Sequence, residues 1–211
     1  MKVLVLSRKI LKAWKHEDFV SAFVIGPQGI GKTTYAMLVA HEVYSDWNKV
    51  LDHLFFDPKE ALPYFQEALE TGTRIPLVIF DDAGYHLSKY LWSTSYEGQK
   101  LTLLYNALIN LARTMVAGII YTSPDMDVLK ELRKKAWIVG EVQVTSESPL
   151  ERQVKLYKKR IGVTGQIYVT KLGYDRYRLD AIPNHVRSKY LEKRRKAINP
   201  LLTELKERLN L

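Results

Sequence analysis

Between an apolar run and a helical one, residues 26 to 33 read Gly-Pro-Gln-Gly-Ile-Gly-Lys-Thr, which fits G-x-x-x-x-G-K-[ST] without a departure. The spacing is chemically restrictive. Glycines let successive main-chain amides turn inward and wrap an oxyanion, and a helix starting directly afterwards points its positive dipole end at the same place. Such a loop belongs on a strand–loop–helix unit. Residues 19 to 25 (Phe-Val-Ser-Ala-Phe-Val-Ile) supply an apolar, β-branched and aromatic strand, and residues 32 to 44 supply the helix. Gly26, Pro27, Gln28, Gly29, Ile30, Gly31, Lys32, Thr33 and Thr34 are therefore expected to cradle a polyphosphate. Lys32 is expected to reach the β and γ phosphates, the Thr33 hydroxyl to ligate magnesium, and Thr34 to touch the α phosphate.

The chain repeats this alternation. Residues 53 to 56, 76 to 80, 115 to 121 and 137 to 144 read as further strands. Asp57-Pro58 is an N-cap with proline at the first helical position, and the helix it opens stops at Gly72. Residues 97 to 113 place Leu101, Leu104, Leu108 and Leu111 on one helical face, and 127 to 135 form a short basic helix. Strand alternating with helix predicts an α/β fold with a mainly parallel, helix-covered sheet. Beyond residue 145 the segments 153 to 160, 166 to 172 and 176 to 182, separated by turns such as Gly173-Tyr174-Asp175, read as antiparallel hairpins. From Asn184, read as an N-cap, the chain is helical and basic until Asn199-Pro200, after which Leu201, Leu202, Leu205 and Leu209 mark a last short helix. The expected units are a core over 1–145, a β-hairpin extension over 146–183 and a basic helical tail over 184–211.

Asp81 and Asp82 end the apolar strand at 76 to 80. After a phosphate loop, Asp81 stands where a magnesium-organising carboxylate belongs, and Asp82 is the candidate general base that orients water against the γ phosphate. Taken alone, the same Asp-Asp pair is also a turn signal. Thr122 and Ser123 close the strand at 115 to 121, where a hydroxyl can bond the attacking water or the γ phosphate; an N-cap before Pro124 explains them equally well. Arg113, Arg133 and Lys134 are candidates for charge supplied across a subunit boundary, though solvated helix ends account for them too. Glu97 is explained by its place ahead of a helix. His41, His53, His86 and His185 lack metal-ligand spacing and read as packing or surface residues.

Composition narrows the class. With 46% hydrophobic and 26% charged residues, 211 residues can bury one substantial core. The absence of cysteine excludes disulfides, thiolate zinc sites and thiol nucleophiles, and leaves a cytoplasmic protein as the default. No run reaches the roughly 20 apolar residues that span a bilayer, and Arg8, Lys9, Lys12 and Lys15 follow the N-terminus too closely for a secretory signal. A formal charge of +9 favours a polyanionic partner such as nucleic acid. The 184 to 196 segment interleaves cations with Tyr190 and Leu191; it suits either contact with phosphates or packing through Val186, Tyr190 and Leu191 under a solvated basic face.

The loop at 26 to 34, Leu-Val-Ile-Phe-Asp-Asp-Ala-Gly at 77 to 84 and Ile-Ile-Tyr-Thr-Ser-Pro at 119 to 124 together resemble the P-loop ATPases with an additional strand between the two nucleotide motifs. Within that group the order of motifs is similar to small ATPases of archaeal viruses and plasmids, themselves related to DnaC-type loaders and to zonula-occludens-toxin and packaging ATPases. The resemblance covers about residues 19 to 145. It implies a sheet in which the strand ending in Thr122 lies between the phosphate-loop strand and the Asp81 strand. It also implies an oligomeric, magnesium-dependent ATPase that acts on DNA or on a DNA-bound protein in a mobile genetic element. Two departures, Asp82 in place of a glutamate and Thr-Ser in place of a glutamine, point to slow or partner-dependent hydrolysis. A nucleotide-gated adaptor with a protein partner and little hydrolysis, and a nucleotide or small-molecule kinase, are the alternatives.

Overall fold

A computed structural model of the chain describes residues 3–82, 113–124, 137–145 and 148–209. Seven strands hydrogen-bond into one sheet: β1 (Val20–Ile25), β2 (Leu54–Phe55), β3 (Val78–Phe80), β4 (Gly118–Ser123), β5 (Ile138–Val144), β6 (Glu151–Ile161) and β7 (Ile167–Arg178). Their spatial order is β2-β3-β4-β1-β5-β6-β7. The first five are parallel, and β6 and β7 add antiparallel to the β5 edge. β4 thus lies between β1 and β3, the order that the additional-strand group implies, and the α/β class is as expected.

Helices cover both faces. On one side α1 (Val5–Lys15), α2 (Lys32–Tyr44) and α3 (Trp47–Asp52) pack on Ala22, Val24, Ile79 and Ile120. On the other, α4 (Leu62–Thr71) lays Phe65 and Ala68 on Phe23, Val78, Phe80, Ile119 and Tyr121. Neighbouring strand residues face opposite layers, so the near-continuous apolar runs follow from burial on both sides. Each large side chain here contributes about 1.5–3 kcal/mol by leaving water. Phe23 and Phe80 both stack on Tyr121, at 4.9 and 5.5 Å.

Five local expectations are corrected. Residues 113–115 are helical and Val116 only bridges Ile75, so β4 starts at Gly118 and not at residue 115. There α1 presses on the sheet: a Cβ on Gly118 would meet the Ile10 side chain at 2.9 Å. The segments 166 to 172 and 176 to 182 merge into the single strand β7, which stops at Arg178, so that residues 179–182 form a turn and not strand. The turn expected at Gly173 is a bulge, in which Leu172 is the unpaired extra residue and Gly173 takes φ +145°. A helix α5 (Asn184–Leu209) runs through Pro200 without a break. Its φ suits a helix even though one amide donor is lost. Asn184 is the first residue of α5, and the carbonyl of Pro183 instead receives the amides of Val186 and Arg187 at 3.0 Å each.

The fifth correction is an addition, α1 and α3. The signal for α1 is the spacing of Leu6, Ile10 and Ala13, all buried. Two carboxylates distant in sequence cap it: Leu4 N donates to Glu42 at 2.9 Å and Val5 N to Asp175 at 2.8 Å. For α3, Asp46 accepts from Asn48 N at 2.7 Å. Asp57 likewise caps as expected, receiving Lys59 N at 2.9 Å, although the turn it opens is a 3₁₀ segment (Pro58–Ala61) leading into α4. The predicted helix at 97 to 113, apart from its last residue, and that at 127 to 135, with His86, Glu97, Arg133 and Lys134, lie outside the described residues.

Candidate functional site

β1 ends at Ile25 and the chain turns through a loop in which Gly26, Gly29 and Gly31 all take positive φ (+149°, +75°, +108°). Gly31 has no room for a side chain as well: a Cβ would sit 2.5 Å from Leu179 Cδ2 and 3.0 Å from the Tyr177 hydroxyl. Helix α2 begins at Lys32 with no side chain capping its first amides, which leaves them for an anion. Lys32 is buried at 6% exposure, and its ammonium donates to the carbonyls of Gly26 and Pro27 at 2.8 and 2.9 Å. Burial lowers its pKa, while the Asp82 and Asp81 charges pull it back up. Pro27, Gln28 and Gly29 are exposed, so the loop opens to solvent above the lysine.

The two carboxylates follow β3. Asp81 is fully buried, its amide donating to Phe55 O at 2.8 Å. Its Oδ1 accepts from the hydroxyls of Thr33 at 2.8 Å and Thr122 at 2.5 Å, and its Oδ2 accepts from Tyr190 at 2.8 Å. Burial first, then the Asp82 charge, raise the Asp81 pKa against the pull of those three donors. Asp82 is held in the left-handed region at φ +52°, a conformation unfavourable to a residue with a side chain. Its amide donates to Thr122 Oγ1 at 3.0 Å, and its carboxylate pairs with Arg194 at 2.6 Å.

The loop at 26–34, Asp81, Asp82 and Thr122 are thereby gathered at one end of the sheet. The Thr122 hydroxyl bonds both neighbouring aspartates, donating to Asp81 and accepting from the Asp82 amide. Ser123 Oγ, also buried, has no partner among the described residues. Arg113 lies exposed ahead of β4, at the opposite end of the sheet.

The donor set fits magnesium. A hydroxyl and a carboxylate meet at 2.8 Å beside the loop, and Mg²⁺ is commonly held by one or two carboxylates together with phosphate oxygens and water. No group of three or more His, Asp or Glu able to hold a metal occurs among the described residues.

Four residues that the motifs do not include complete the surroundings. Arg152 of β6 donates to Ile30 O at 2.9 Å, and Tyr177 of β7 donates to Gly31 O at 2.8 Å. The antiparallel edge therefore braces the loop from behind. Tyr190 and Arg194 of α5 reach Asp81 and Asp82 from the front. Other cations of α5 also turn inward, Lys189 to Asn48 at 3.3 Å and Lys193 to Leu51 O at 2.8 Å. With Val186 and Tyr190 buried, this face of the basic segment follows the packing alternative, except that Leu191, expected in the same packing, is 41% exposed because it falls on the outer side of the helix.

No family model matches the chain. It is 33% identical over 220 residues to the uncharacterized protein B-251 of Sulfolobus spindle-shape virus 1, covering 97% of this chain and 85% of that one. It is 28% identical to the uncharacterized protein ORF286 of Acidianus two-tailed virus over 74% of its length, spanning about half (54%) of that protein. Among solved structures, it is similar to the N-terminal domain of zonular occludens toxin from Neisseria meningitidis (14% identity, 74% of this chain and 95% of that one, TM-score 0.41). It is also similar to the genome packaging NTPase B204 of Sulfolobus turreted icosahedral virus 2 in complex with ATP-gammaS (14%, 72% and 97%, TM-score 0.38). Helices long and apolar enough to cross a membrane are absent among the described residues.

Proposed function

We propose, for a chain that belongs to the viral protein family of B-251 from Sulfolobus spindle-shape virus 1, a magnesium-dependent ATPase whose turnover is coupled to work on DNA or on a DNA-bound protein. One observation carries this reading: the Thr33 hydroxyl that ends the glycine loop meets the Asp81 carboxylate at 2.8 Å, so both halves of a metal–triphosphate site adjoin. The amides of residues 26 to 34 hold the phosphates, with Lys32 turning from its loop carbonyls to the β and γ oxygens. Thr33 and Asp81 hold the ion, which when bound neutralises charge on those oxygens. Asp82 aligns water for in-line attack and accepts its proton at the carboxylate, and Thr122 keeps the two aspartates in register.

The DNA part of the reading is supported by charge. Residues 152 to 174 contain six Lys or Arg (Arg152, Lys155, Lys158, Lys159, Arg160, Lys171) and no carboxylate. The outer part of this hairpin projects past the sheet, since β5 pairs only as far as Lys158, beyond which β6 and β7 pair with each other. Ile161, Ile167, Tyr168 and Val169 are exposed on that ribbon, each at 52–65%. A narrow, acid-free basic ribbon with an aromatic side chain fits a DNA groove. A homo-oligomer, the usual form for ATPases of this kind, belongs to the same proposal.

A second reading, an ATP-gated adaptor that hydrolyses little, is favoured by the Arg194–Asp82 pair, which occupies the proposed base. Phosphate release measured with and without double-stranded DNA decides between them. The ATPase reading expects release that rises with DNA. Bound ATP that stays intact under both conditions assigns the adaptor.

A further inference from the structure

α5 reaches the proposed site through two side chains one helical turn apart. Tyr190 and Arg194 are four residues apart and so share a face of the helix. Tyr190 Oη donates to Asp81 Oδ2 at 2.8 Å, while Asp81 Oδ1 already receives Thr33 and Thr122. Oδ1 thus carries two hydroxyl donors and Oδ2 one. Arg194 closes on Asp82 at 2.6 Å, with about 40% of each side chain exposed (41% and 39%), so the pair sits at the mouth of the site and not in the core. The rest of the helix is attached nearby by Lys189 and Lys193 to α3 and by Val186 packed in the core.

These contacts compete with a loaded site. Tyr190 draws on the Asp81 oxygen that is least engaged by the loop and β4, and so competes with a metal ion for it, while a base needs the Asp82 oxygen that Arg194 now neutralises. Resting on the proposed ATP site, we infer that α5 is a latch: Tyr190 and Arg194 tie up the two aspartates, and loading with a magnesium–nucleoside triphosphate complex lifts this helix away. The site and the tail are then two readouts of one equilibrium. The apparent affinity for the complex is reduced by the fraction of molecules with the helix in place. Because Tyr190 opposes the metal specifically, release depends on magnesium as well as nucleotide. Once lifted, α5 presents Lys189, Lys193 and Arg194, now hydrogen-bonded to Asn48, Leu51 O and Asp82, to a partner.

The test uses the full chain with a slowly hydrolysed ATP analogue. Trypsin cleavage within α5, after Arg187, Lys189, Lys193 or Arg194, is followed by mass spectrometry alongside binding of a fluorescent ATP analogue. The latch predicts cleavage in α5 at least several-fold faster with magnesium and nucleotide together than with nucleotide and chelator. It also predicts that Tyr190→Phe, which keeps the ring packing, tightens magnesium–nucleotide binding on the order of tenfold and leaves magnesium-free binding unchanged. Arg194→Ala should act in the same direction. Saturated binding with α5 cleaved at its resting rate, or weaker binding in Tyr190→Phe, overturns the latch and leaves the nucleotide site standing. Absence of binding in the wild type and in both variants overturns the nucleotide site and the latch with it.

Discussion

Thr33 and Asp81, 48 positions apart, share a hydrogen bond of 2.8 Å that joins the first turn of α2 to the end of β3. Parallel neighbours in the order β3-β4-β1 bring these two ends to one side of the sheet. Thr122 at the end of the intervening strand then bonds the same carboxylate.

Asp82 is the residue whose loss should separate binding from chemistry. Asp82→Asn keeps the volume and removes the charge that receives a proton. Nucleotide affinity should be kept, or tightened as in Arg194→Ala since the same ion pair is lost, while phosphate release falls about 100-fold or more. Single-turnover kinetics with labelled ATP checks this.

Asp175 of β7 ties α1 and α2 to the sheet, accepting from Val5 N at 2.8 Å and from the buried Tyr35 hydroxyl at 2.7 Å. Burial and the Asp175 charge raise the Tyr35 pKa, so the phenol remains a donor. Asp175→Ala strands both donors and should cost about 3 kcal/mol, and Tyr35→Phe about 1 kcal/mol. Urea unfolding measures both.

His53 stacks on Tyr44 at 5.0 Å, and its pKa is held below the ordinary 6.5, chiefly by burial. The unfolded chain therefore takes up a proton here before the folded one does. The contribution of neutral His53 is complete above pH 6.5 and is lost as pH falls from 6.5 towards the folded value. Unfolding midpoints between pH 7.5 and 5.5 should fall more in the wild type than in His53→Gln.

What could be read from the residues was what is local. The loop pattern, the Asp81-Asp82 ending and the strand–helix alternation each announce themselves within about a dozen positions, and the strand order followed from the resemblance they carry. The braces did not show. Arg152 is 122 positions from Ile30 and Tyr190 is 109 from Asp81, and nothing in a basic helix distinguishes the arginine that folds inward from those that face water. Gly173 misled for a related reason, since a glycine at positive φ serves a bulge as readily as a turn. Pro200 is the converse: its local signal is a helix stop, and α5 continues through it.

The hairpin ribbon should account for DNA affinity. Replacing Lys158, Arg160 and Lys171 together with alanine should weaken binding to duplex DNA and reduce the slope of log affinity against log salt by about 2–3. Nucleotide binding should be unaffected, since this ribbon lies at the far end of the sheet from the loop. Fluorescence anisotropy across a salt series provides the slope.

Titration of a fluorescent ATP analogue, with and without magnesium, into the wild type and Lys32→Ala bears most directly on the whole account. Saturable, magnesium-enhanced binding in the wild type, weakened on the order of 100-fold by the loss of the ammonium, is the result expected. Equal affinity in Lys32→Ala would contradict it.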